Sequence, residues 1–189
     1  MNGELPQATA RAILGELVTE REGFLAALAD VEPSLLTTPG LAGEWSAREL
    51  LAHLGYWCGH AAEALHRAAQ GTLHEFGSDD PDFDVDAVNE TVARVARETD
   101  LASVRLREEA AYAALVERLE TAEDGWLLDT TGYRETLEQV LREDGPEHYH
   151  EHTLDIRSWF TGDADEDEDE DDDPEADAEA DPGERAAPA

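Results

Sequence analysis

The sequence predicts an all-α protein: a four-helix bundle followed by a disordered acidic tail. Three observations predict it. Apolar residues recur at three- and four-residue spacing through most of the first 162 positions. Val, Ile and Thr are sparse and nowhere alternate as a strand requires. Beyond Gly162, acidic residues replace large apolar ones almost completely.

Residues 5–30 form the first predicted helix, with Ile13, Leu14, Leu17, Phe24, Leu25 and Leu28 at helical spacing. Pro33 and then Pro39-Gly40 end it. The second helix opens on Ser46-Ala-Arg-Glu49, a capping box in which each side chain satisfies an orphan backbone amide. Its stripe runs through Leu50, His53, Leu54, Trp57, Ala61, Ala64 and Leu65 to Gly71, and a loop containing Gly77-Ser-Asp-Asp-Pro81 follows. A long third helix is predicted over 85–120, with Val88, Val92, Val95, Leu101, Leu106, Tyr112, Leu115 and Leu119 facing inward. Thr99-Asp100 is its natural point of interruption. A short helix over Tyr133–Glu143 precedes the last, over 146–161, with Asp144 as N-cap and Pro146 in the first turn. Four main helices with one longer connection make a bundle the natural architecture.

The domain is therefore set at residues 1–162 and the tail at 163–189. Fifteen tail residues are acidic and one is basic, which gives it −14 of the chain's net −34. Such a segment cannot bury enough apolar surface to offset the entropy of ordering. The chain has 47 acidic residues against 13 basic ones, all Arg, a balance that excludes ordinary binding to a nucleic-acid backbone or an anionic membrane. A lone Cys58 excludes an internal disulfide and suits a reducing cytosol. With no signal-peptide pattern and no apolar run of the ~20 residues a membrane span needs, a cytoplasmic protein is expected.

Seven histidines are present. His148 and His152, four apart, share one helical face with Asp155, Ile156 and Trp159, which points them into the bundle; His150 faces the other way. His53 lies on the apolar stripe of the second helix. Three imidazoles from two helices could hold a divalent transition metal, zinc or nickel first, and leave positions for water or substrate. Hydrogen-bonded core histidines are the competing reading, and spacing alone leaves the two open. His60, two turns beyond His53, is either a fourth ligand or a core residue, and His66 and His74 belong to the surface.

Two motifs carry a family resemblance. Gly43-Glu-Trp-Ser-Ala-Arg-Glu-Leu-Leu-Ala-His53-Leu resembles the helix-two signature of the DinB-like superfamily, in which W-S/T-x-x-[DE]-[LV]-[LIV]-x-H-L leads to the first metal ligand. The stretch from His148 to Trp159 is similar to the H-Y-x-x-H-x-x-D-[IL]-R-x-W motif that closes the ClbS/DfsB-type branch, and Asn89 is similar to that branch too. The resemblance covers residues 5–160 and implies a DinB-like bundle with His53, His148 and His152 as metal ligands. At Gly55 the chain departs from ClbS-like sequences, which carry Tyr two residues after the first His.

The superfamily includes thiol S-transferases that use bacillithiol or mycothiol, a mycothiol-dependent maleylpyruvate isomerase and a self-resistance protein. The resemblance thus implies a metal-assisted hydrolase or thiol S-transferase acting on a small electrophilic substrate, in detoxification or self-resistance. A non-catalytic protein that binds and sequesters such a molecule is the alternative. Tyr56, Glu151 and Asp155 are the candidates for acid–base or ligand-orienting work, with surface charge or ring packing as the other reading of each; Asp155, one turn past His152, ranks first. Absence of Lys with abundant Ala, Arg, Asp and Glu points to a GC-rich genome, that of an actinobacterium or a haloarchaeon; in an actinobacterium the co-substrate thiol would be mycothiol. Relatives often dimerise through bundle faces, which allows a homodimer.

Overall fold

The computed structural model describes residues 9–77 and 84–161. Among them lie six α-helices, two short 3-10 segments and no strand. Helix α1 (Ala10–Ala29) is capped by Thr9, whose hydroxyl accepts the Ala12 N–H at 3.1 Å. Residues 5–8 of the predicted first helix, the loop 78–83 and the tail 163–189 lie outside the described residues. Ile13, Leu17, Phe24 and Leu28 are buried as expected, whereas Leu25 is exposed: it sits ~100° round the helix from Phe24.

Helix α2 (Ala47–Gln70) starts at the capping box. The Glu49 carboxylate accepts both the Ser46 N–H at 2.8 Å and the Ser46 hydroxyl at 2.7 Å, and it also takes Arg97 Nε. Gly71, in the left-handed region at φ 72°, closes the helix. The whole predicted stripe from Leu50 to Leu65 is buried.

The predicted third helix is two helices. Asp100 leaves helical geometry and caps a new start by accepting the Ser103 N–H at 2.9 Å, so α3 (Val85–Arg97) and α4 (Leu101–Thr121) are separated. The break shifts the phase of the apolar pattern. Val95 and Leu106 are consequently exposed, and α3 buries Ala93 and Ala96 instead. Helix α5 (Leu137–Glu143) begins four residues later than expected, at a second capping box from Thr136 and Gln139. Residues 131–134 form a turn closed by the Arg134 N–H on the Thr131 carbonyl at 3.0 Å, with Arg134 at φ 69°. In α6 (Pro146–Thr161) the proline occupies the first helical position, but Asp144 is not its N-cap. Its backbone closes α5 and its carboxylate goes to His60.

Helices α1, α2, α4 and α6 form the bundle, with α2 packed mainly on α4 and α1 on α6; α3 lies against α2. Gly55 marks where α2 and α4 meet: a Cβ there would stand 3.0 Å from Glu108 Cα, so the Tyr carried by ClbS-like sequences has no room in this packing. A polar network crosses the core. Arg21 donates two hydrogen bonds, of 2.7 and 2.8 Å, to the buried Glu108 carboxylate, and the fully buried Tyr149 hydroxyl donates a third at 2.5 Å. The Cys58 thiol lies 3.5 Å from that hydroxyl. No helix among the described residues is long and apolar enough to cross a membrane.

Candidate metal centre

Position 53 is set by the capping box, because fixing Ser46 as N-cap fixes which residues of α2 face inward. His148 and His152 are set by the start of α6 at Pro146. Packing then brings the three rings together, with centroid separations of 4.6 Å (53–148), 5.2 Å (53–152) and 4.9 Å (148–152). One nitrogen from each forms a group whose members all lie within 4.8 Å of one another. The Nε2 atoms of His53 and His148 are 2.7 Å apart.

The environment keeps the His53 and His148 rings neutral. Burial, then repulsion from His152, pushes the His53 pKa down to about 3, with Asn89 acting in the opposite sense. Burial, then His53 and His152, lowers that of His148 to about 2. A ligating histidine must be neutral, so the state the bundle favours is the one a metal requires. His53 Nδ1, His148 Nδ1 and His152 Nε2 are buried without a hydrogen-bond partner. Unsatisfied buried nitrogens are costly, and a ligand shared by the three rings would supply bonds that the protein itself does not. The triad could therefore hold a metal ion.

Side chains around the triad fix its geometry. Asp155 Oδ2 lies 2.7 Å from His152 Nδ1, a carboxylate–histidine arrangement that selects the tautomer with Nε2 as ligand. The Trp45 ring packs on His53 at 4.9 Å. Trp57 donates its indole N–H to Asn89 Oδ1 at 3.1 Å, tying α3 to α2 beside the site. A cavity of about 630 Å³ opens over the histidines, and Trp57, Asn89, Tyr133 and Asp144 are in its wall.

Of the residues nominated from sequence, the fold gathers His53, His148, His152 and Asp155. Glu151 is exposed at the same cavity. Tyr56 stands apart, against Trp57 and in the wall of a separate, mostly apolar cavity of about 330 Å³ between α2, α3 and α4. His60 lies on the wall of the larger cavity, outside the triad, with Nδ1 2.6 Å from Asp144 and its ring against Phe76. His150 pairs with Glu20 on the surface. The His60–Asp144 and Trp57–Asn89 pairs carried no signal in the sequence, because their members lie 84 and 32 residues apart.

A sequence model of the DinB superfamily matches residues 16–156. No curated protein matches by sequence. Solved structures resemble the chain in fold. An uncharacterised protein from Escherichia coli UTI89 is 14% identical with TM-score 0.69, covering 84% of this chain and 96% of its own. The colibactin self-resistance protein ClbS, solved in complex with double-stranded DNA, is 15% identical with TM-score 0.68 over 84% of this chain and 98% of its own. A mycothiol-dependent maleylpyruvate isomerase is 18% identical with TM-score 0.63; the match covers 79% of this chain and 61% of the isomerase. At these identities the likeness is one of fold.

Proposed function

The chain belongs to the DinB superfamily, and from that premise we propose that it is a metal-assisted hydrolase or thiol S-transferase acting on a small electrophile, in a detoxification or self-resistance role. One observation carries the reading: His53, His148 and His152 each place a ring nitrogen within 4.8 Å of the others in the wall of a cavity of about 630 Å³. His53, His148 and His152 would hold a divalent ion, zinc or nickel by their nitrogen donors. When bound, such an ion lowers the pKa of a coordinated water or thiol and so supplies a nucleophile at neutral pH.

The rest is done by the chain itself. Asp155 holds His152 in one tautomer and orientation and is a positioning residue. Trp45 and Trp57 cover His53 and exclude water from the floor of the site. Asn89, bonded to Trp57, keeps α3 against α2 and the cavity wall closed on that side. Mycothiol is a candidate co-substrate, supported by the mycothiol-dependent neighbour. One neighbour was solved with DNA, but this chain's net charge of −34 opposes a phosphate backbone.

Sequestration without turnover is the second reading. It is favoured by the placement of Tyr56, one of the three nominated acid–base candidates, outside the cluster. Metal analysis of protein purified without a nickel column tests the first reading. About one equivalent of a transition metal, with a melting temperature that falls on chelation, is expected. Metal well below stoichiometric, with chelator leaving the melting temperature unchanged, would overturn it.

A further inference from the structure

We propose that the cavity over the histidines takes an organic cation, an electrophile carrying a quaternary or protonated amine whose charged end sits at the mouth among Glu135, Glu143 and Glu151. The inference rests on the preceding reading of the cavity as the substrate site and names the class of substrate.

The argument starts from charge. Glu135, Glu143, Asp144 and Glu151 all contribute to the cavity wall, and no Arg among the described residues does. Four guanidinium groups are engaged elsewhere: Arg21 with Glu108, Arg67 with Glu63, Arg97 with Glu49 and Glu90, and Arg142 with Glu16 and Glu138. Asp144 has His60 as its partner. The other three carboxylates are exposed at the opening and have no ion pair among the described residues. Their field is felt locally, since partial burial and then the charges of Glu135, Asp144, Glu147 and Glu151 raise the pKa of Glu143. An arriving cation relieves that repulsion, and an anion increases it.

The remaining lining suits the same ligand. Trp57 and Tyr133 supply aromatic surface, which accepts a cation better than an aliphatic wall does. A divalent ion on the histidines would repel a cation at the floor, which assigns the charged end to the mouth and the uncharged, reacting end to the histidines. Acidic surface is abundant in this chain; here it adjoins a concave site whose floor holds unsatisfied nitrogens.

Calorimetric titration of the full chain, zinc-loaded and chelator-treated, with trimethyl(3-phenylpropyl)ammonium, 3-phenylpropanol and 3-phenylpropanoate tests this. The quaternary ammonium cannot ligate a metal, so its binding reports the cavity. It is expected to bind at least about fivefold more tightly than the alcohol, the size of one partly exposed cation–aromatic contact. Glu135→Gln/Glu143→Gln/Glu151→Gln should remove the difference, while Glu22→Gln/Glu98→Gln/Glu120→Gln, exposed residues away from the cavity, should keep it. A smaller ratio, no saturable cation binding, or equal loss in both triple variants would overturn the proposal. Metal content measured on the same samples separates the two readings. Zinc bound without cation preference removes this proposal alone; cation preference without zinc removes the metal reading alone.

Discussion

Asp155 Oδ2 accepts a 2.7 Å hydrogen bond from His152 Nδ1, which leaves Nε2 as the only nitrogen of that ring able to act as a ligand. Asp155→Asn keeps the shape and loses the charge that raises ligand basicity. Metal affinity measured by chelator competition is expected to fall by about 10- to 100-fold, with the helical circular dichroism unchanged. Unchanged affinity would make this carboxylate ordinary surface charge.

His53→Ala and His148→Ala should each reduce bound metal to a small fraction of the wild-type stoichiometry, because either change leaves only two imidazoles of the triad. Elemental analysis of the two variants decides the ligand set. Full retention in both would exclude it.

Glu49 gives a pH dependence with a definite sign. Burial works to raise its pKa, but the Ser46 donors and Arg97 outweigh burial and hold the carboxyl below its ordinary value of 4.5. A depressed carboxylate stabilises the fold above its unfolded pKa, and that stability is lost as pH falls through the folded value. Glu49→Gln is therefore expected to lower the melting temperature at pH 7 by about 2–4 °C. The gap between wild type and variant should close as pH drops below 4.5. A gap that stays constant to pH 3 would assign the effect to shape, not charge.

The Arg21–Glu108–Tyr149 network predicts an ordering of two substitutions. Arg21→Ala strands a buried carboxylate and should cost about 3 kcal/mol or more in urea unfolding. Tyr149→Phe removes one hydrogen bond to a charged acceptor and should cost about 1.5–3 kcal/mol. The reverse order would mean that Arg21 is solvated well enough to be dispensable.

Much of the fold was legible because it follows from short-range chemistry. Ser46 and Glu49 set the phase of α2, and with it the inward position of His53; Pro146 did the same for His148 and His152 on α6. The Thr99-Asp100 interruption was visible, but its consequence for Val95 and Leu106 was not, since a break resets the helical phase by an amount that only packing selects. Asp144 was misread as a helix cap for a related reason. An Asp at a helix boundary can cap the backbone or reach a side chain, and here the histidine 84 positions earlier lies 2.6 Å away.

The sequence by itself determined which faces are apolar, where helices begin and which histidines point inward, because these depend on neighbours within one or two helical turns. Tertiary structure decided that the three rings meet, that Tyr56 stands in a different cavity, and that Glu135, Glu143 and Glu151 share one opening with no arginine among the described residues in its wall. Those relations depend on how α2, α3, α5 and α6 lie across one another. Helical periodicity carries no information about that arrangement, because it fixes the direction of a side chain around its own axis and leaves the partner across the interface unspecified.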